Sequence, residues 1–365
     1  MASIAQGRFT YLGMDVHKDS ISVGILEPGH ESAVVERIFH DECSVRRLIA
    51  RFPDPRALRT CYEAGPTGYE LHRLLSAMGV ACQVIAPSLI PRTPGDRVKT
   101  DRRDARRLAR LHRAGELVAI RVPTPQEEAI RDLCRARGDM VADRTRARHR
   151  LGKFLLRHGR VFRGTRAWTM AHGRWVAAQS FSEPALQATF GHYRAVLESR
   201  DAQIFAIEAD LVPWFTSERY GDQVARLGAY RGVDRMGALT LASEACDWRR
   251  FDRGTRFMGF CGLVTSEYST GQSVRRGHIT KAGNVHLRTQ LVESAWAYQH
   301  HPSVGARLRA HQRGLPPEVV ARAWGAQLRL CGRFRRLAQR KTSKNVVATA
   351  IARELAGFLW AEMTA

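Results

Sequence analysis

The sequence predicts an α/β domain followed by two largely helical regions, and three observations carry that prediction. Short β-branched runs alternate with polar turns and helical segments over the first 125 residues. From Thr124 to about Glu218 the apolar spacing becomes helical and strand signals cease. Near Val224 a third, mixed unit begins, passes through a Gly- and polar-rich loop and ends in helices. The expected boundaries are 1–125, 126–222 and 223–365, and a chain of 365 residues is long enough for two or three domains with a sizeable core.

The elements follow in order. FTYLGMDVHKDSISVGIL (9–26) reads as two β-runs around the polar turn VHKDS, and a third short strand lies within SAVVERIFH. SVRRLIARF is helical; ALRTCYEA is a buried strand ending at Glu63, followed by the turn and helix start GPTGYELHRLLSAMG. CQVIAP is another strand before a Pro-rich break, and KTDRRDARRLARLHRAG is a helix stopped by Gly115. EEAIRDLCRARGDMVADRTRARHRLGKFLLRHG carries apolar residues at helical spacing, and FGHYRAVLESRDAQIFAIEADLVPWF pairs back on it as an antiparallel coil. IARELAGFLWAEM is an amphipathic closing helix.

Composition narrows the partners. A formal charge of +23 and a pI near 10.8 give a field that attracts polyanions, nucleic acid above all. The charge is concentrated: eight of the 17 positions from Arg97 to Arg113 are Lys or Arg, and 11 Lys/Arg face three Asp between Arg131 and Arg163. Seven scattered cysteines without a CxxC pair argue against a disulfide framework and a zinc knuckle. No apolar run reaches the roughly 18 residues of a membrane span, and MASIAQGRFTYLGMD lacks an export pattern. A cytoplasmic, nucleoid-associated protein without a membrane partner is the expectation.

Within this basic chain four carboxylates stand out. Asp15 and Glu63 end strands, while Asp101 and Asp104 share a helix face at i, i+3. Strand ends on one sheet edge with a helix laid across them would cluster all four, and at 4 Å each pair of charges repels by about 4 kcal/mol at an effective dielectric near 20. A divalent cation relieves that repulsion. Mg²⁺ (or Mn²⁺) suits hard oxygen ligands and keeps positions for water and phosphate. Taken singly, Asp101 and Asp104 also fit as ion-pair partners for neighbouring arginines. The order β-hairpin with Asp, later strand with Glu, helix with DxxD is that of RNase H.

GMDVHK (13–18), YEAGPTGY (62–69) and KTDRRDA (99–105) closely resemble the RuvC-like domain of the DEDD-type transposases of the insertion sequence 110 family. RFDRGTRFMGFCGLVTSEYSTGQSVRRGHITKAGNVHLRTQLVESAW resembles that family's transposase-specific domain, and IARELAGFLW its closing motif. The resemblance covers nearly the whole chain, the middle helices by position more than by motif. It implies an RNase H/RuvC-like first domain (1–125), a basic coiled-coil middle (126–222) and a transposase-specific domain with a nucleophilic serine (223–365). Asp15, Glu63, Asp101 and Asp104 correspond to the family's four metal-site acids. It further implies double-stranded donor and target DNA and a structured noncoding guide (bridge) RNA, and strand exchange between two duplexes calls for a homo-oligomer, dimer or tetramer.

SEYSTGQSVRRGHITKAGN offers Ser266, Ser269 and Ser273, and the match to SEYS favours Ser269, with the hydroxyl of Thr270 one register step away. Arg275, Arg276 and Lys281 lie close enough in sequence to stabilise an alkoxide and the phosphate charge. Three departures from the family pattern are the Thr at 265, where many relatives carry Pro, the Thr at 270, where many carry Ser, and RGVDRMGALTLASE, which stands in place of a helix-hairpin-helix-like PGIG turn but breaks it at Val233 and Asp234. Lys18, Arg102, Arg103, Arg106, Arg146, Arg148, Arg150, Lys153, Arg275, Arg276 and Lys281 are the basic side chains expected against nucleic acid. His17 is expected beside the acids. Two other readings stand beside this one: a metal-only nuclease selective for branched DNA, and a catalytically silent nucleic-acid-binding regulator.

Overall fold

In the computed structural model, which describes residues 9–91, 100–271, 273–340 and 343–365, the chain divides at Pro123/Thr124 into two units. Arg97 and Lys99, from the basic run, lie outside the described residues.

The first unit is built on a five-stranded mixed sheet. Its elements are β1 (Thr10–Val16), β2 (Ser20–Leu26), β3 (Val34–Phe39), α1 (Glu42–Ile49), β4 (Leu58–Glu63), α2 (Glu70–Ala77), β5 (Ala81–Ile85) and α3 (Asp101–Ala114). The strand order is β3-β2-β1-β4-β5: β1, β2 and β3 pair antiparallel, while β4 and β5 run parallel to β1. Strand alternation separates the two faces. Leu12, Met14, Ile21, Val23 and Tyr62 join Val45, Leu48, Leu71 and Leu75 in one core layer with α1 and α2. Tyr11 and Cys61 point the other way, toward Ala109 and Leu108 of α3. Burial on both faces explains why β2 reads as a nearly continuous apolar run with every residue buried.

The second unit comprises α4 (Pro125–Arg157), α5 (Met170–Ala177), α6 (Pro184–Leu211), α7 (Gly221–Gly228), α8 (Arg235–Ala245), α9 (Gly254–Phe260), β6 (Thr265–Thr270), β7 (Ser273–Ile279), α10 (Val285–Ala295), α11 (Ala306–Gln312), α12 (Pro317–Gln339) and α13 (Lys344–Thr364). A reciprocal capping box between Thr124 and Glu127 starts α4, whose 33 residues span about 50 Å. Ion pairs Arg137–Glu208 and Arg144–Asp201 advance along α4 as they retreat along α6, so the two helices are antiparallel. At one end Ile130, Cys134 and Leu211 join the core of α7–α13. At the other, Leu151, Phe154, Val176 and Phe190 form a small separate core with Trp168 and Phe181. The stretches 126–222 and 223–365 therefore share one compact unit.

Two further findings differ from the sequence reading. The Gly- and polar-rich stretch expected to be a loop is an antiparallel β6–β7 hairpin. The turn before α8 is closed by a side chain: Asp234 Oδ1 accepts from Gly237 N at 2.8 Å, and its other oxygen lies 3.4 Å from Arg307. A carboxylate thus occupies the helix N-terminus where a PGIG-type turn would receive a phosphate. All seven cysteines are free thiols, and no helix among the described residues is long and apolar enough to cross a membrane.

Candidate active site

The first cluster forms where strand ends meet the start of α3. Gly13 and Gly24 pair directly across β1 and β2. Without a Cβ on either, the backbone of α3 settles onto the sheet at Ala105 and Ala109. By alternation Asp15 lies on the same face as Gly13, and Glu63 on the same face as Cys61, which is the α3 face. The Met14–Tyr62 pair of the parallel ladder makes Asp15 and Glu63 the next residues along adjacent strands. Thr100 caps α3, its side chain accepting from Arg103 N. Asp101 and Asp104 then fall in the first turn, where carboxylates also complement the helix dipole.

The side chains that meet are those of Asp15, His17 and Asp101. Their ligand atoms lie within 4.8 Å of one another. The His17 imidazole stands between the two carboxylates, its Nε2 3.4 Å from Asp15 Oδ2 and 3.5 Å from Asp101 Oδ1. Its backbone carbonyl lies 2.7 Å from His40 Nδ1, a contact that anchors the β1–β2 turn. Two carboxylates and an imidazole, Asp15 partly buried and the other two exposed, are a donor set that fits a divalent cation. Glu63 and Asp104 share the α3 side of the sheet but stand outside that close group. His17 is a donor that residue type and strand-end position had placed beside the acids.

The basic residues fall into distinct settings. Lys18 is exposed in the β1–β2 turn, and Arg102, Arg103 and Arg106 are exposed along α3. Arg106 also donates to the carbonyl of Ala33 at 3.2 Å. On α4, Arg150 and Lys153 face solvent and Arg146 pairs with Asp143. Arg148 differs: it is half-buried, with its guanidinium 5.2 Å from the Trp168 ring, so it packs the distal core as well as carrying charge. Burial first, and then the charge of Arg144, lowers its pKa.

The hairpin forms the second cluster. Its base is fixed by buried groups. The Glu244 carboxylate, inside the second unit, accepts from Arg135 Nε at 2.7 Å and from Asn284 Nδ2 at 2.7 Å. Asn284 in turn caps α10 by accepting from Leu287 N at 3.0 Å. Beyond the base β6 and β7 stand out in solvent, with Tyr268 78% and Val274 58% exposed. Register places Glu267 opposite Arg276, Tyr268 opposite Arg275 and Ser269 opposite Val274. The candidate hydroxyls are no longer equivalent. Ser266 Oγ donates to the carbonyl of His278 at 3.3 Å, whereas Ser269 Oγ donates to Glu267 Oε1 at 2.7 Å. Glu267 was missed at the sequence level, because an i, i+2 pair acquires meaning only on a strand.

Comparison with known proteins bears on both clusters. Residues 12–159 match the model of a DEDD transposase family of the IS110 type, and residues 224–309 match the model described as transposase IS116/IS110/IS902 family. The chain is 43% identical over 98% of its length to a Sinorhizobium fredii protein named as a transposase, covering 90% of that protein. It is 34% identical to the transposase for insertion sequence element IS1533 of Leptospira borgpetersenii, over 90% of this chain and 97% of that one. A Pseudomonas aeruginosa protein named as a family 20 transposase is 30% identical over 96% of this chain and 95% of its own length. With both halves matched by family models and relatives aligned over almost the full length, the chain belongs to the IS116/IS110/IS902 family of transposases.

Proposed function

We propose that this transposase cuts and rejoins DNA with an RNase H/RuvC-like metal site in its first unit and a serine nucleophile, Ser269, in its second. The observation that carries the reading is the convergence of Asp15 and Asp101, from a strand end and a helix start, to within 4.8 Å beside His17. Mutual repulsion makes such a pair costly unless a cation or a proton is shared. Asp15 and Asp101, with His17, Glu63 and Asp104 around them, would hold Mg²⁺ (or Mn²⁺). Once bound, it would supply Lewis-acid polarisation of a phosphodiester.

The chain's own groups do the rest. Ser269 presents its hydroxyl from an exposed ribbon of two strands, a shape that a DNA groove admits. Arg275, Arg276 and Lys281 neutralise phosphate charge around it. Lys18, Arg102, Arg103, Arg150 and Lys153 hold nucleic-acid backbone, and Arg146, Arg148 and Arg106 add to the same field. On this reading a structured guide RNA chooses the target, and a dimer or tetramer exchanges strands of donor and target DNA in the cytoplasm.

The test uses the full chain, a supercoiled plasmid carrying the element's ends, and RNA transcribed from the element. The wild type should leave a covalent protein–DNA adduct that Ser269→Ala abolishes, and the Asp15→Asn/Asp101→Asn double variant should not cut. Cutting without an adduct would mean a metal-only nuclease. Binding without cutting would mean a silent regulator. Cutting that ignores RNA with the wrong sequence would remove the guide.

A further inference from the structure

Only one charged residue of the β6–β7 hairpin is acidic. From Val264 to Val292 the sole carboxylate is Glu267, among Arg275, Arg276, Lys281 and Arg288. On a surface meant for phosphate, that acid opposes binding by Coulomb repulsion. Its surroundings give it another use. One oxygen, Oε1, receives the Ser269 hydroxyl at 2.7 Å; the other, Oε2, faces Arg276 Nε at 3.5 Å from the opposite strand. Alternation along β6 brings the first pair to one face, and the Glu267–Arg276 register brings in the guanidinium. The Ser269 hydrogen bond first, aided by the charge of Arg276, holds the carboxyl below its ordinary pKa against the opposing effect of burial. The acid is thus ionised and ready to accept a proton.

We propose that Glu267 is the proton acceptor for Ser269, with Arg276 positioning its carboxylate; this rests on Ser269 being the nucleophile. As the Oγ–P bond forms, the bond from phosphorus to the leaving deoxyribose oxygen breaks and its electron pair stays on that oxygen. The serine proton passes to Glu267 Oε1 and from there, directly or through water, to the leaving oxygen, which departs as a hydroxyl. Rejoining reverses the path: the incoming strand's hydroxyl yields its proton to Glu267, and Ser269 Oγ takes it back on leaving phosphorus. No net proton is consumed. Because a carboxylate of low pKa is a weak base for a free serine, proton transfer accompanies attack and does not precede it.

The experiment measures the rate of covalent adduct formation on the same plasmid and RNA, between pH 5 and 9, together with DNA affinity. Glu267→Gln keeps an oxygen acceptor of the same shape but cannot take the proton. It should slow adduct formation by roughly 100-fold or more, leave DNA affinity equal or tighter, and give a residual rate that climbs with pH. Glu267→Asp should recover part of the rate. Tyr268, Arg275, Arg276 and His278 are the other ionisable groups on the two strands. They are common to all three proteins, so the difference between profiles reports Glu267. A wild-type rate and profile in Glu267→Gln would overturn the proposal, as would a rate loss matched by an equal loss of DNA affinity, which would make Glu267 a shaping residue only. An adduct that survives Ser269→Ala would instead remove the nucleophile itself, a separate failure visible in a separate variant.

Discussion

A Cβ added to Gly13 would lie 2.2 Å from the amide nitrogen of Ala109, so β1 and α3 touch backbone to backbone. Gly24, its cross-strand partner, would meet the Ala105 carbonyl at 2.6 Å in the same way. Neither neighbour is a flexible side chain that can swing aside. Gly13→Ala should therefore lift α3 from the sheet, cost about 1–3 kcal/mol of stability, and carry Asp101 away from Asp15. Thermal unfolding should show the first effect. Loss of cutting in the fraction that remains folded should show the second.

The same two glycines mark the boundary of what was legible in the sequence. Asp15 and Glu63 could be placed because buried strands announce themselves by apolar runs, and these acids fall at or next to the last residue of theirs. The DxxD helix could be placed because its Gly115 stop is a local signal. The Gly13–Gly24 pairing could not, since it depends on register between strands and on where α3 lands. The hairpin escaped notice for a related reason: both its faces meet solvent, so Ser266, Tyr268, Ser273 and Arg275 show no apolar alternation. The continuity of the second unit was hidden as well, because Cys134 and Leu211 meet the C-terminal core from helices distant in sequence.

Removing the acid site's charge should stop chemistry without removing nucleic acid. Asp15→Asn or Asp101→Asn should lower cutting by at least the roughly 10–100-fold that follows from disturbing even an outer partner of a metal site. DNA affinity should hold or rise, since a negative charge is lost. Chelation of divalent ions should reproduce the phenotype in the wild type, and added Mg²⁺ should restore it.

Arg135→Met strips the cation from the buried Glu244 carboxylate, leaving Asn284 as its remaining partner in the triad. An uncompensated buried charge costs about 3 kcal/mol or more. Glu244→Gln in the same chain should recover much of it, because the neutral amide can still accept from Asn284. A double-mutant cycle read by denaturant unfolding measures the coupling.

Glu362 sets part of the acid limit of the fold. It is fully buried on α13 and accepts from Arg226 Nε at 2.9 Å, Arg322 Nε at 2.7 Å and Tyr230 Oη at 3.1 Å. Burial alone would push its carboxyl up; the hydrogen bonds from Arg322 and Arg226 outweigh that and hold it below the ordinary value of 4.5. A depressed folded-state pKa means stability that is present in full above pH 4.5 and is lost as pH falls through the depressed value. Unfolding midpoints should fall on acidification through that window, and Glu362→Gln should be less stable at neutral pH with a flatter acid limb. A variant whose acid limb matches the wild type would show that other carboxylates govern the transition.

Salt dependence resolves which basic side chains meet nucleic acid. Each phosphate neutralised by a lysine or arginine releases counterions, so log affinity falls with log salt by about 0.9 per contact on duplex DNA and about 0.7 on a single strand. Arg150 and Lys153 are exposed on α4, whereas Arg148 is tied to Trp168. Arg150→Gln and Lys153→Gln should each reduce the salt slope by about one while leaving the melting temperature unchanged. Arg148→Gln should reduce stability as well, because it removes a stacked, half-buried guanidinium from the distal core. A salt slope untouched by Arg150→Gln and Lys153→Gln would take this face of α4 out of the nucleic-acid surface and leave the charge to α3 and the hairpin.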